Sequence, residues 1–96
     1  MNPKVYTISA KVWRWQGQGG WHFVAIDTQT FHEIRQSFGK GMVPITLTLN
    51  GAKLTATLFP HLQTESYLLA IKKAWRQKLD IQDGDTIEIQ FQITQK

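Results

Sequence analysis

The sequence predicts a mainly β domain with two short helices, closing as a barrel of about six strands. Three observations predict it. Apolar and polar residues alternate along most of the chain, the period of strands that bury one face. Asn50-Gly51 stands between two such runs, where a tight type I′ hairpin turn needs positive φ at both central residues. A strand-helix-strand pattern also recurs at an offset of roughly 45 residues, so two pseudo-symmetric β-β-α-β halves are expected to interlock.

The first run sets Tyr6, Ile8, Ala10 and Val12 on one face and Thr7, Ser9 and Lys11 on the other, a strand with one buried side. It continues into Trp13-Arg14-Trp15, placing two indoles on the otherwise polar face, and then into the loop Gln16-Gly17-Gln18-Gly19-Gly20. A second strand covers residues 21–26, and parity with Phe23 assigns Trp21 to the interior. Thr30-x-x-Glu33 has the form of a capping box, in which threonine and glutamate each satisfy an orphan donor at a helix start. Phe31, Ile34 and Phe38 follow at helical spacing and Gly39 terminates them, a helix of about two turns.

Residues 43–49 alternate again, with Ile45, Leu47 and Leu49 on one face. After the Asn50-Gly51 turn a strand is expected over 54–59, with Leu54, Ala56 and Leu58 inward, and a loop from Pro60 to Ser66. The pattern then repeats in miniature: a strand over 67–71, a short helix carrying Ala74, Trp75 and Leu79, a turn at Asp83-Gly84-Asp85, and a last strand. In that strand Ile87, Ile89, Phe91 and Ile93 alternate with Glu88, Gln90 and Gln92, and its regular apolar face makes it the expected unpaired edge. The internal match lays residues 23–26, a helix and Gly41 over residues 68–71, a helix and Gly84.

The 96 residues suffice for one domain with one core, so residues 1–96 are expected to form a single barrel domain. The absence of cysteine excludes a disulfide framework, a thiolate zinc site and thiol catalysis. Met1 to Tyr6 hold no continuous apolar run, so neither a signal peptide nor a membrane span is expected, and the location expected is the cytoplasm. Net charge is +4 and the pI near 9.6, a balance compatible with nucleic acid or another anion.

Trp13-Arg14-Trp15, Gly19-Gly20-Trp21-His22-Phe23-Val24, Val43-Pro44-Ile45, Thr57-Leu58-Phe59-Pro60, Tyr67-Leu68-Leu69, Lys72 with Arg76, and Gly84-Asp85-Thr86-Ile87 resemble the bacterial family called domain of unknown function nineteen-oh-five. The resemblance covers nearly the whole chain. It implies a double-split β-barrel, a fold shared with swapped-hairpin regulators of the AbrB type, and no assigned activity. Family members often stand beside a second domain named for bacteriocin protection or for association with outer-membrane proteins, of which no counterpart is expected in these residues. Asp27 and Ala70 depart from the family pattern, which commonly has proline at both places. No catalytic residue is carried over by the resemblance.

The chemistry is therefore read from the residues. Trp13 and Trp15 with Arg14 between them could stack on a flat ligand and pair with an anion, and Lys72 and Arg76, four apart, could project from one helix face toward the same anion. Arg76 could equally pair with Asp80. Candidate ligand-binding residues are thus Trp13, Arg14, Trp15, Lys72 and Arg76, with packing of the indoles at the barrel rim as the competing role. His22, His32 and His61 sit in three different elements without metal-ligand spacing, so no metal and no cofactor are expected. Ser9, Ser37 and Ser66 lack a nucleophile elbow, the carboxylates cluster around one turn, and Gly17-x-Gly19-Gly20 leads into a strand rather than a phosphate-holding helix. The function expected is a non-enzymatic binding or interaction module of unknown ligand. The alternatives are a nucleic-acid binder and a structural or dimerisation accessory domain, with monomer and homodimer both open.

Overall fold

The alternation read along the sequence resolves into seven strands and two helices. They are β1 (Tyr6–Lys11), β2 (Trp13–Arg14), β3 (His22–Ile26), α1 (Thr28–Phe38), β4 (Val43–Leu49), β5 (Ala52–His61), β6 (Ser66–Ala70), α2 (Lys73–Leu79) and β7 (Thr86–Ile93). The computed structural model describes residues 4–17, 19–39 and 41–94, so Met1 to Pro3 of the leader reading and Gln18 of the first loop lie outside the described residues. All pairings are antiparallel, in the order β1-β7-β4-β5-β6-β3-β2, a nearly closed barrel.

Seven strands stand where about six were expected, because the first run breaks at Val12. The Val12 backbone leaves the ladder: its N–H donates to the Asp85 carbonyl at 2.8 Å and its carbonyl accepts from Gly84 N–H at 2.8 Å. Before the break the chain pairs with β7, and after it with β3. One run thereby serves both ends of the sheet. β5 behaves alike, since residues 52–58 pair with β4 and residues 59–61 with β6.

The interior holds one buried cluster to which β3 to β7 each contribute, including Ile26, Leu47, Leu49, Leu58, Leu69, Ile89 and Phe91, with Tyr67 fully buried among them and half-buried Tyr6, Ile8 and Ala10 of β1 packed against it. β4 occupies the expected span and buries Val43, Ile45, Leu47 and Leu49. The Asn50-Gly51 turn has φ of 50° and 82°, as a type I′ hairpin demands. α1 covers the barrel with Phe31 and Ile34, and α2 with Trp75.

Four expectations are corrected. α1 begins at Thr28 rather than at Thr30 and runs 11 residues. Asp27 is its N-cap, with Oδ2 accepting from Thr30 N–H at 3.2 Å and Oδ1 from the Thr30 hydroxyl at 2.7 Å, while Glu33 pairs with Lys4 instead of closing a capping box. β5 runs through Pro60 to His61; by Pro60 it has parted from β4, so a missing donor costs no bond on that side. β7 is no edge, being paired with β1 on one side and β4 on the other.

Candidate functional site

The outer face of the sheet formed by β2, β3, β6 and the end of β5 is apolar, whereas a solvent-facing sheet surface is ordinarily polar. β3 buries His22, Val24 and Ile26, so Trp21, Phe23 and Ala25 point outward. Trp21 is 57% exposed, which corrects its expected place in the core. Residues 21–26 are apolar at every position but one, and the exception is His22, whose ring Nδ1 lies 2.7 Å from the Gly20 carbonyl and can therefore be buried. Parity in this run cannot be told from hydrophobicity alone.

Residues opposite each other in a ladder share a face. Trp13 stands opposite Phe23 and Phe23 opposite Ala70; Ala25 stands opposite Leu68 and Leu68 opposite Phe59. Trp15 N–H donates to the Trp21 carbonyl at 2.7 Å, which extends the hairpin by one more pair. Ring centroids lie 5.2 Å apart for Trp13 and Phe23, 6.2 Å for Trp21 and Phe23, and 6.5 Å for Trp13 and Trp15. Large rings thus flank the two small side chains Ala25 and Ala70, and the result is an open trough of about 950 Å³. Trp15 and Phe59 remain 51% and 41% exposed on its walls.

The trough has a polar end made by Asp27, His61, Thr64 and Ser66. The Thr64 hydroxyl lies 2.7 Å from His61 Nδ1 and 2.7 Å from the Ser66 hydroxyl, a short hydrogen-bonded chain. At the opposite end the trough shares Trp21, Phe59 and Ala70 with a second groove of about 570 Å³, which runs over Thr46, Thr55 and Thr57 to Lys72. A third depression of about 400 Å³ continues from Thr46, Thr55 and Lys72 to Lys53 and Trp75.

A family model described as Domain of unknown function (DUF1905) matches residues 9–91. The chain belongs to the DUF1905 family. The match takes in the whole trough, from Trp13 to Ala70, and Lys53 and Lys72 of the third depression. No curated protein matches the chain.

Of the residues singled out in this DUF1905 chain, Trp13 and Trp15 line the trough. Arg14 alternates away from them and is exposed opposite His22. Lys72 borders the continuation of the trough, as the N-cap of α2 rather than a residue within it. Arg76 donates from Nε to the Ile71 carbonyl at 3.2 Å, so the structure does not gather it with Lys72 at one groove, nor does it pair with Asp80 among the described residues. Asp80 instead closes α2 in the left-handed conformation, at φ 56°.

Phe23, Phe59, Leu68 and Lys53 were missed, and the signal that could have found Phe23 is the stricter alternation of Val24 and Ile26 against Ala25. The histidines stay apart: His22 meets Gly20, His32 meets Glu65 at 3.1 Å, and His61 meets Thr64. Among the described residues no group of three or more His, Asp or Glu side chains is placed to hold a metal, and no helix is long and apolar enough to cross a membrane.

Proposed function

We propose that this DUF1905 domain is a non-enzymatic binding module that takes the apolar or aromatic body of its ligand into the trough over Ala25 and Ala70. The observation that carries the reading is the outward aromatic face itself: Trp15, Trp21 and Phe59 stay in water around a concave floor. Burial in the core explains none of the three. Concave apolar surface with a few convergent polar groups is the usual form of a small-ligand site, and the His61, Thr64 and Ser66 chain supplies such groups at one end.

The test is titration with N-phenyl-1-naphthylamine, a neutral aromatic probe, followed by energy transfer from tryptophan. Saturable one-to-one binding is expected, and Ala70→Trp, which fills the trough, abolishes it. A folded wild-type protein that binds no probe saturably refutes the reading.

The nucleic-acid alternative has less support, because single-strand binding needs cations that track the backbone alongside the stacking rings, and among the described residues no lysine or arginine lines the trough itself. The accessory-domain alternative loses the edge it relied on, since β7 is paired on both sides. The double-split reading of two β-β-α-β halves is supported by the shared partner switch of the β1–β2 run and β5, and by the pairing of β3 with β6 and of β4 with β7. A cytoplasmic setting accords with the absence of cysteine.

A further inference from the structure

We infer that the occupant is a small organic anion whose flat or branched apolar body lies at the Trp21–Ala70 end of the aromatic trough and whose acidic head turns toward Lys72, with Lys53 beyond it. The inference rests on the binding reading above and adds the ligand's charge and its orientation.

The grooves form one path with a gradient of polarity. It begins over Ala25 and Ala70, crosses the threonine-faced surface of β4 and β5, and ends at a depression lined by Lys53 and Lys72. Lys72 borders the second and third depressions and Lys53 the third. Among the described residues neither makes an ion pair and no carboxylate side chain lines either depression. The ammonium of Lys72 lies 5.5 Å from the centre of the Trp75 ring, a cation–π distance, and both residues line the third depression.

Charge at the other end of the path has the opposite sign and is already engaged. Asp27 is the one acidic side chain among the described residues of the trough, and its two oxygens accept from Thr30 as the cap of α1. An anionic head is therefore repelled from the Asp27 end and attracted to the lysine end, which fixes the direction in which an amphipathic anion lies. A carboxylate, a sulfonate or a phosphate ester supplies the same head chemistry. A nucleic-acid strand fits less well, because it carries a phosphate at every step whereas the cations gather at one end.

The experiment compares two probes with one body, neutral N-phenyl-1-naphthylamine and its sulfonate relative 8-anilino-1-naphthalenesulfonate, on the wild-type chain and on Lys53→Met/Lys72→Met. Methionine keeps the apolar stems and removes both charges. The wild type is expected to bind the sulfonate about three- to tenfold more tightly than the neutral probe, as two exposed ion pairs allow, with the preference shrinking as salt is added. The double variant should lose the preference and keep its affinity for the neutral probe.

An unchanged sulfonate preference in the double variant overturns the inference while leaving the trough as a binding site. Loss of both probes in Ala70→Trp alone locates the sulfonate in the trough; sulfonate binding that survives in Ala70→Trp also overturns the inference. Failure of the neutral probe on the wild type sinks the binding reading beneath it. Displacement of the sulfonate by oligothymidylate, but not by decanoate or naphthalene-2-carboxylate, overturns the small-anion assignment in favour of nucleic acid.

Discussion

Tyr67→Phe should make the protein more stable. Tyr67 is fully buried on β6, its ring 4.9 Å from that of Phe31, and its hydroxyl has no hydrogen-bond partner among the described residues. An unsatisfied buried hydroxyl costs about 1–3 kcal/mol of desolvation, and phenylalanine removes that cost. The oxygen-sized void left behind takes back about 0.3 kcal/mol at the usual cost per unit of cavity volume. A net gain of about 1 kcal/mol follows. With an unfolding entropy of roughly 2.1 cal/mol/K per residue over 96 residues, the gain raises Tm by about 5 °C. The assay is thermal unfolding by circular dichroism at pH 7, checked against the urea midpoint.

Alkaline pH provides an independent arm of the same prediction. Burial pushes the Tyr67 phenol above its ordinary value of 10.0, and the nearby Arg35 guanidinium offsets part of that rise. Between the ordinary and the raised value the unfolded chain has lost the proton while the folded chain keeps it, so stability falls as pH rises through that window. Below it the phenol is neutral in both states and adds no pH dependence. Tyr67→Phe should therefore flatten the alkaline decline, though not abolish it, since burial also raises Tyr6. A variant that melts several degrees below wild type at pH 7 would refute the reasoning, because it would mean that the hydroxyl is satisfied in solution.

Two further outcomes test the division between barrel and trough. Trp21→Ala should cost less than about 2 kcal/mol in urea unfolding, since more than half of the residue is already in water, and should weaken naphthylamine binding at least tenfold. Leu69→Ala, fully buried two residues from Tyr67, should cost about 2–5 kcal/mol in the same measurement. Gly51→Val should destabilise the β4–β5 hairpin by about 1–2 kcal/mol, read as a lowered urea midpoint at constant slope, because φ is 82° there and a β-branched residue resists that conformation.

The barrel was largely legible in the order of residues. Alternation in 43–49 and 86–93 and the Asn50-Gly51 pair dictated β4, β7 and the hairpin locally, since period-2 burial and positive φ are properties of neighbouring residues. The same local chemistry placed Gly39 at the end of α1. Where two local signals competed, the outcome depended on what else was nearby: Asp27 took the N-cap from Thr30, and Glu33 was drawn off by Lys4, 29 residues away.

The site was less legible, and for a different reason. Trp13 and Trp15 could be singled out as indoles on a polar face, and both line the trough. The trough itself exists only because β3, β6 and β5 are adjacent, which brings Phe23 beside Ala70 and Leu68 beside Phe59. No spacing within one strand encodes that neighbourhood. Trp21 was misplaced because its strand is apolar on both faces, so parity alone could not say which face meets water. Sequence determined which segments are strands and where they turn, through backbone sterics and period. Tertiary structure decided which apolar face became core and which became a groove, because only the closed sheet has an inside.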